Sequence, residues 1–166
     1  MKSKIGQAAL AAVAIILALG AGAASAGVTV NYVNPEKYSD LPKGEWEREE
    51  VLKELVKYFD KLGQELPAGQ DLTVNITDID LSGMEYPGNR ASGDLRVREG
   101  KTDWPYMEIH YTLSANGQVV DSGVSQIRDQ SYMVRPIKRA FETDNLRFEK
   151  RMLQDWFNKT ILKKAK

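Results

Sequence analysis

WPYMEIHYTLSANGQVVDSGVSQIR, residues 104–128, reads as a β-hairpin, because two segments of alternating polarity flank the pair Asn116-Gly117. Asn and Gly tolerate the positive φ that a two-residue type I′ turn demands, and the twist of that turn matches the strands it joins. Counting outward from the turn sets a register. Ala115 faces Gln118, Leu113 faces Val120, Tyr111 faces Ser122, Ile109 faces Val124 and Met107 faces Gln126. The apolar members of this row mark it as the buried side. The other side pairs Tyr106 with Ile127, Glu108 with Ser125, His110 with Gly123 and Thr112 with Asp121, a largely wettable surface.

Working outward toward the N-terminus, Val28, Val30 and Tyr32 alternate with Thr29, Asn31 and Val33, a strand stopped by Asn34-Pro35. From Glu45 the period changes. Val51, Leu52, Leu55, Tyr58, Phe59 and Leu62 recur at three- and four-residue steps, the stripe of a helix that Gly63 is placed to cap. Glu45, Glu47, Glu49 and Glu50 crowd its beginning, where the helix dipole favours negative charge. After Leu66-Pro67-Ala68-Gly69, Leu72, Val74 and Ile76 alternate, and then Ile79 and Leu81 take over in the opposite phase, so a bulge is expected near Thr77 or Asp78. Ser82 to Lys101 holds four glycines and Pro87, which reads as a long loop with one short edge strand at Leu95–Arg98.

On the other side of the hairpin, Pro136 bars a helix before it. A last helix is expected from Thr143 or Asp144 as N-cap, with Phe148, Met152, Leu153, Trp156, Phe157 and Ile161 as its apolar stripe. Such side chains are worth about 1.5–3 kcal/mol each when buried, so this helix docks on the sheet. The fold class expected is α+β: an antiparallel sheet with two helices packed on one face, in the order strand, helix, strand, long loop, hairpin, helix.

The first residues set the address. Lys2 and Lys4 precede an apolar run from Ile5 to Gly20, and Ala24-Ser25-Ala26 supplies the small residues of a peptidase site. Residues 1–26 therefore read as a cleavable secretory signal, leaving one domain, 27–166, in the periplasm with no transmembrane segment. There is no cysteine, hence no disulfide frame and no lipid-attachment site. The chain is formally neutral, but residues 27–127 carry 10 basic and 18 acidic side chains against 11 and 5 in residues 128–166. The halves are therefore expected to attract, with the basic last helix lying across the acidic body. The sharper reading gives Arg147, Lys150 and Arg151, off the apolar stripe and so exposed, as a basic face for an anionic envelope component.

The string Leu146-Arg147-Phe148-Glu149-Lys150-Arg151-Met152-Leu153-Gln154-Asp155-Trp156-Phe157 resembles the terminal signature of a family of secreted Gram-negative bacterial proteins known as domain of unknown function 3016. Val28-Thr29-Val30, Asn34-Pro35-Glu36-Lys37-Tyr38, Leu66-Pro67-Ala68-Gly69-Gln70, Thr77-Asp78-Ile79-Asp80-Leu81-Ser82-Gly83 and Asp103-Trp104-Pro105 are similar to that family's other segments in the same order. The resemblance implies a periplasmic domain and brings no catalytic residue. Where the family pattern has acidic residues after a Ser-Gly step, this chain has Val124-Ser125-Gln126, which argues against chemistry there.

Read from the residues themselves, Asp78 and Asp80 sit two apart at a strand end, so both can face one side, as a hard-cation or sugar-hydroxyl site needs. Two carboxylates are too few for a cage, and Asp103 or Asp129 would have to join them. His110, the only histidine, falls mid-strand on the outer face and reads as structural. Trp104, Tyr106, Tyr86 and Tyr132 form either a stacking platform or ordinary edge packing. With no cysteine, one histidine and no nucleotide or nucleophile-elbow motif, the common hydrolase triads and zinc sites are mostly excluded. No cofactor, metal or nucleic-acid partner is expected, and oligomeric state is left open. The expectation is a non-enzymatic binding or accessory domain of the cell envelope, using Asp78, Asp80, Asp103, Trp104 and the basic trio. The alternative is a carboxylate-based glycan hydrolase.

Overall fold

The structure, a computed structural model, describes residues 26–88 and 94–164. The expected signal segment, apart from Ala26, lies outside the described residues. Strand β1 (Gly27–Tyr32) leads through a 3₁₀ turn at Pro35–Lys37 to helix α1 (Glu45–Gly63) and strand β2 (Gln70–Asp80). Two short strands follow, β3 (Met84–Tyr86) and β4 (Leu95–Val97), then the long pair β5 (Tyr106–Ala115) and β6 (Gln118–Arg128). Helix α2 (Arg147–Trp156) continues as a π turn, Phe157–Ile161.

The main sheet has the order β1-β2-β5-β6 and is mostly antiparallel; β1 runs parallel to β2, which α1 makes feasible by carrying the chain back between them. Both helices lie on one face. Phe59 of α1 and Tyr111 of β5 each meet the Trp156 ring edge-on, at centroid distances of 6.4 and 5.9 Å. The inner face supplies Leu72, Val74, Ile76 and Ile79 from β2 and Met107, Ile109 and Leu113 from β5, all buried. The expected bulge in β2 falls between Ile76 and Asp78, and it is this extra residue, Thr77, that keeps Ile79 on the inner face.

The Asn116-Gly117 turn is as expected, with φ of 51° and 79°. The register beyond it differs. Ala115 pairs with Gln118 and Ser114 with Val119, but Leu113 then pairs with Asp121, so Val120 is an unpaired extra residue. One inserted residue turns every later side chain to the opposite face. Ile127, not Gln126, therefore faces Met107, and Val124 points outward opposite His110 at 60% exposure. Gly123 now lies beneath Tyr111; a Cβ there would stand 3.3 Å from the tyrosine ring, which needs that space to reach Trp156.

Three further expectations are corrected. Gly63 is the last residue of α1 and makes no left-handed cap; it is required because a Cβ would come within 2.6 Å of Val28 Cγ2 where helix and β1 touch. The expected loop from Ser82 to Lys101 contains a two-stranded antiparallel hairpin, β3 with β4, pairing Met84 with Val97, Glu85 with Arg96 and Tyr86 with Leu95. The N-cap of α2 is Leu146; Asp144 acts two residues earlier, accepting the Leu146 N–H at 2.8 Å in an Asx turn.

Candidate functional site

The corner after β2 begins the site. Gly83 has φ +85° and a Cβ on it would lie 2.5 Å from the Val97 carbonyl, so only glycine lets the β3–β4 hairpin fold back this closely. The preceding Ser82 is fully buried and joins two elements: its N–H donates to Glu149 Oε1 of α2 at 2.7 Å, and its Oγ accepts from Arg98 Nε just beyond β4 at 3.0 Å.

Arg96 and Arg98 are two apart and project to the same side. Arg96 donates twice to the Asp40 carboxylate, at 2.6 and 3.3 Å, and once to the Gly83 carbonyl. Arg98 donates to the Asn145 carbonyl at 2.9 Å and lies over the Phe148 ring, 5.6 Å from its centroid. Burial lowers the Arg98 pKa from its usual value. Between this hairpin and the N-terminal ends of α1 and α2 opens a cleft of about 660 Å³, with Val51 and Leu81 as apolar wall and Arg96, Arg98, Glu85 and Glu149 as polar wall.

Glu149 is the unusual member. It has no exposed surface, and while Oε1 holds the Ser82 N–H, Oε2 has no hydrogen-bond partner among the described residues. A buried carboxylate oxygen left unpaired is costly, about 1–3 kcal/mol or more for a charged group. Its place in the first turn of α2 offsets part of that cost through the helix dipole.

The residues singled out from sequence are dispersed. Asp78 accepts from the Ser39 N–H and hydroxyl, both at 2.7 Å, and so fastens the segment after β1 to β2. Asp80 stands near Asp40 and Asp78; burial, followed by repulsion from those two carboxylates, raises its pKa. Asp103 organises its own loop, accepting from the Glu99 N–H at 2.7 Å, the Lys101 N–H at 2.9 Å and the Tyr132 hydroxyl at 2.8 Å. Burial pushes its pKa up, but these hydrogen bonds outweigh it and the net shift is downward. No group of three or more possible metal-ligating side chains occurs among the described residues. Trp104 is half-buried. The stacking platform does not form: Tyr132 is buried edge-on against Phe148, 4.8 Å between centroids, Tyr106 lies under Arg128, and Tyr86 is exposed on the hairpin.

The basic trio is corrected most clearly. Lys150 and Arg151 are each only 7% exposed. Lys150 pairs with Asp144, stands 3.7 Å from Glu54 of α1 and sits over the Tyr58 ring. Arg151 donates to Asp129 and to the carbonyls of Tyr132, Arg135 and Pro136. Arg147 is half-buried on the Phe148 ring, 4.7 Å from its centroid. Each cation turned inward because a carboxylate, a run of carbonyls or an aromatic face awaits it there, and helical periodicity carries no information about those partners.

Sequence reasoning also missed Glu149. The signal was present: Glu149, Leu153 and Trp156 stand at i, i+4 and i+7, which places a carboxylate within the apolar stripe itself.

A mostly antiparallel sheet covered by two helices, with a polar cleft at one end, defines a small α+β domain. The family model described as Protein of unknown function (DUF3016) matches residues 26–159, and the chain belongs to that family. No curated protein matches the chain, and no solved structure does. Among the described residues no helix is long and apolar enough to cross a membrane.

Proposed function

We propose that this protein is an exported, non-catalytic binding domain of the cell envelope, released into the periplasm by cleavage after Ala26, and that its ligand enters the cleft between the β3–β4 hairpin and the two helix N-terminal ends. The observation that carries this reading is Glu149: a fully buried carboxylate with one oxygen unpartnered among the described residues, on the wall of a cleft of about 660 Å³. Cavities of this size that hold a few convergent polar groups are the usual form of small-ligand sites. The carboxylate-hydrolase alternative has no comparable support, because Asp78 and Asp103 are committed to hydrogen bonds with Ser39 and with the 99–101 loop. The test is a thermal-shift screen of the purified protein against envelope-derived small molecules of every charge type, run beside Glu149→Gln. A ligand that stabilises the wild type and not the variant supports the reading. A blank screen for the wild type, or turnover of a glycan abolished by Asp78→Asn or Asp103→Asn, ends it.

A further inference from the structure

From the charges lining that cleft we infer that its ligand is a cation bearing a primary amine or guanidinium group, an inference that rests on the binding reading above. The walls carry Glu47, Glu85, Asp94 and Glu149 against Arg96 and Arg98. Arg96 is neutralised within the fold by its two bonds to Asp40, so among the described residues four carboxylates face one remaining positive charge, that of Arg98. Arg98 is itself held back, with Nε on the Ser82 hydroxyl and one terminal nitrogen on the Asn145 carbonyl. An anion entering the cleft meets a surplus of like charge in partly buried surroundings, where screening by salt is weak.

The two helix N-terminal ends act against a cation, and their effect is met locally. Neither Gly44 nor Leu146 caps its helix with a side chain, but Glu45 and Glu47 fill the first turn of α1 and Glu149 that of α2, covering the positive ends. What remains unsatisfied is an acceptor. Glu149 Oε2 calls for a hydrogen-bond donor, and a charged N–H donor answers both that need and the acidic surplus, whereas a hydroxyl answers only the first.

The test is calorimetric titration of the protein with three four-carbon probes that differ only in their ends: putrescine with amines, butanediol with hydroxyls and succinate with carboxylates. Putrescine is expected to bind, with affinity lowered at least about tenfold by Glu149→Gln and also by the double change Glu47→Gln/Glu85→Gln, which leaves the buried carboxylate in place and guards against a folding artefact in the first variant. Binding of butanediol or succinate at equal or greater strength overturns the charge assignment and leaves the binding reading standing. Putrescine binding that is indifferent to both variants, or no binding of any of the three, also overturns it. The binding reading falls separately, when the broader thermal-shift screen is blank or glycan turnover is found.

Discussion

Arg151 Nη2 stands 2.9 Å from Asp129 Oδ2, and both side chains are more than nine-tenths buried. The pair joins the middle of α2 to the exit of β6, and three backbone carbonyls accept from the two terminal nitrogens of Arg151, so the segment from Asp129 to Pro136 is wrapped around one guanidinium. Arg135 extends the network, bridging Asp129 and Asp155.

Arg151→Ala is expected to cost about 3–5 kcal/mol of unfolding free energy, because it takes a buried charged donor from Asp129, which keeps only Arg135 and the Ser131 N–H, and leaves the Tyr132, Arg135 and Pro136 carbonyls without theirs. The double replacement Arg151→Met/Asp129→Leu should cost less than the two single changes together, since it strands neither charge. Urea midpoints of the four proteins in the cycle measure this. Additive losses would mean that the pair is not coupled.

The shifted register of β6 makes a residue-level claim. Gly123→Val places methyl groups against Tyr111, where even a Cβ stands at 3.3 Å, and should cost about 1–3 kcal/mol through overpacking. Val124→Lys, one residue on and outward-facing, should stay within about 0.5 kcal/mol of wild type. In the register counted straight from the turn, the two outcomes would be reversed.

Trp156 meets Phe59 and Tyr111 edge-on, yet its buried indole Nε1 has no hydrogen-bond partner among the described residues. Trp156→Ala should therefore cost about 3–5 kcal/mol through lost volume, and Trp156→Phe only about 1–2, since no hydrogen bond goes with the indole. Equal losses would point to a polar role for the ring.

Asp80 and Asp103 should respond to pH with opposite signs. The folded-state pKa of Asp80 is raised by burial and by Asp40 and Asp78, so ionising it opposes folding. Asp80→Asn is then stabilising at pH about 7, and the gain disappears below the unfolded-state pKa of about 3.9. The Asp103 pKa is lowered because its hydrogen bonds outweigh burial, so its contribution is present above the unfolded pKa and is lost as pH falls through the folded one. Asp103→Asn should lower the melting temperature near neutrality and converge with wild type in acid. Melting curves of both variants between about pH 2 and 7 read the two signs directly.

Local signals determined much of this molecule from sequence. The Asn116-Gly117 turn is written in two residues that accept positive φ, the α1 stripe in its three- and four-residue spacing, and the β2 bulge in a change of phase between Ile76 and Ile79. Each depends on residues within one or two turns of chain, and each survives in the fold. The tertiary structure alone decided the bulge at Val120, since only the competition between Gln126 and Ile127 for the space beside Met107, at the far end of the strand, selects the face, and alternation before and after the slip looks the same. It also decided which charges are buried. Lys150 and Arg151 look solvent-facing by periodicity, and Glu149 is hidden among apolar neighbours, but groups that hold them, Glu54, Asp129 and Ser82, belong to other parts of the chain. A charge enters an interior when a partner arrives from a distant segment, and that meeting is a property of the assembled fold.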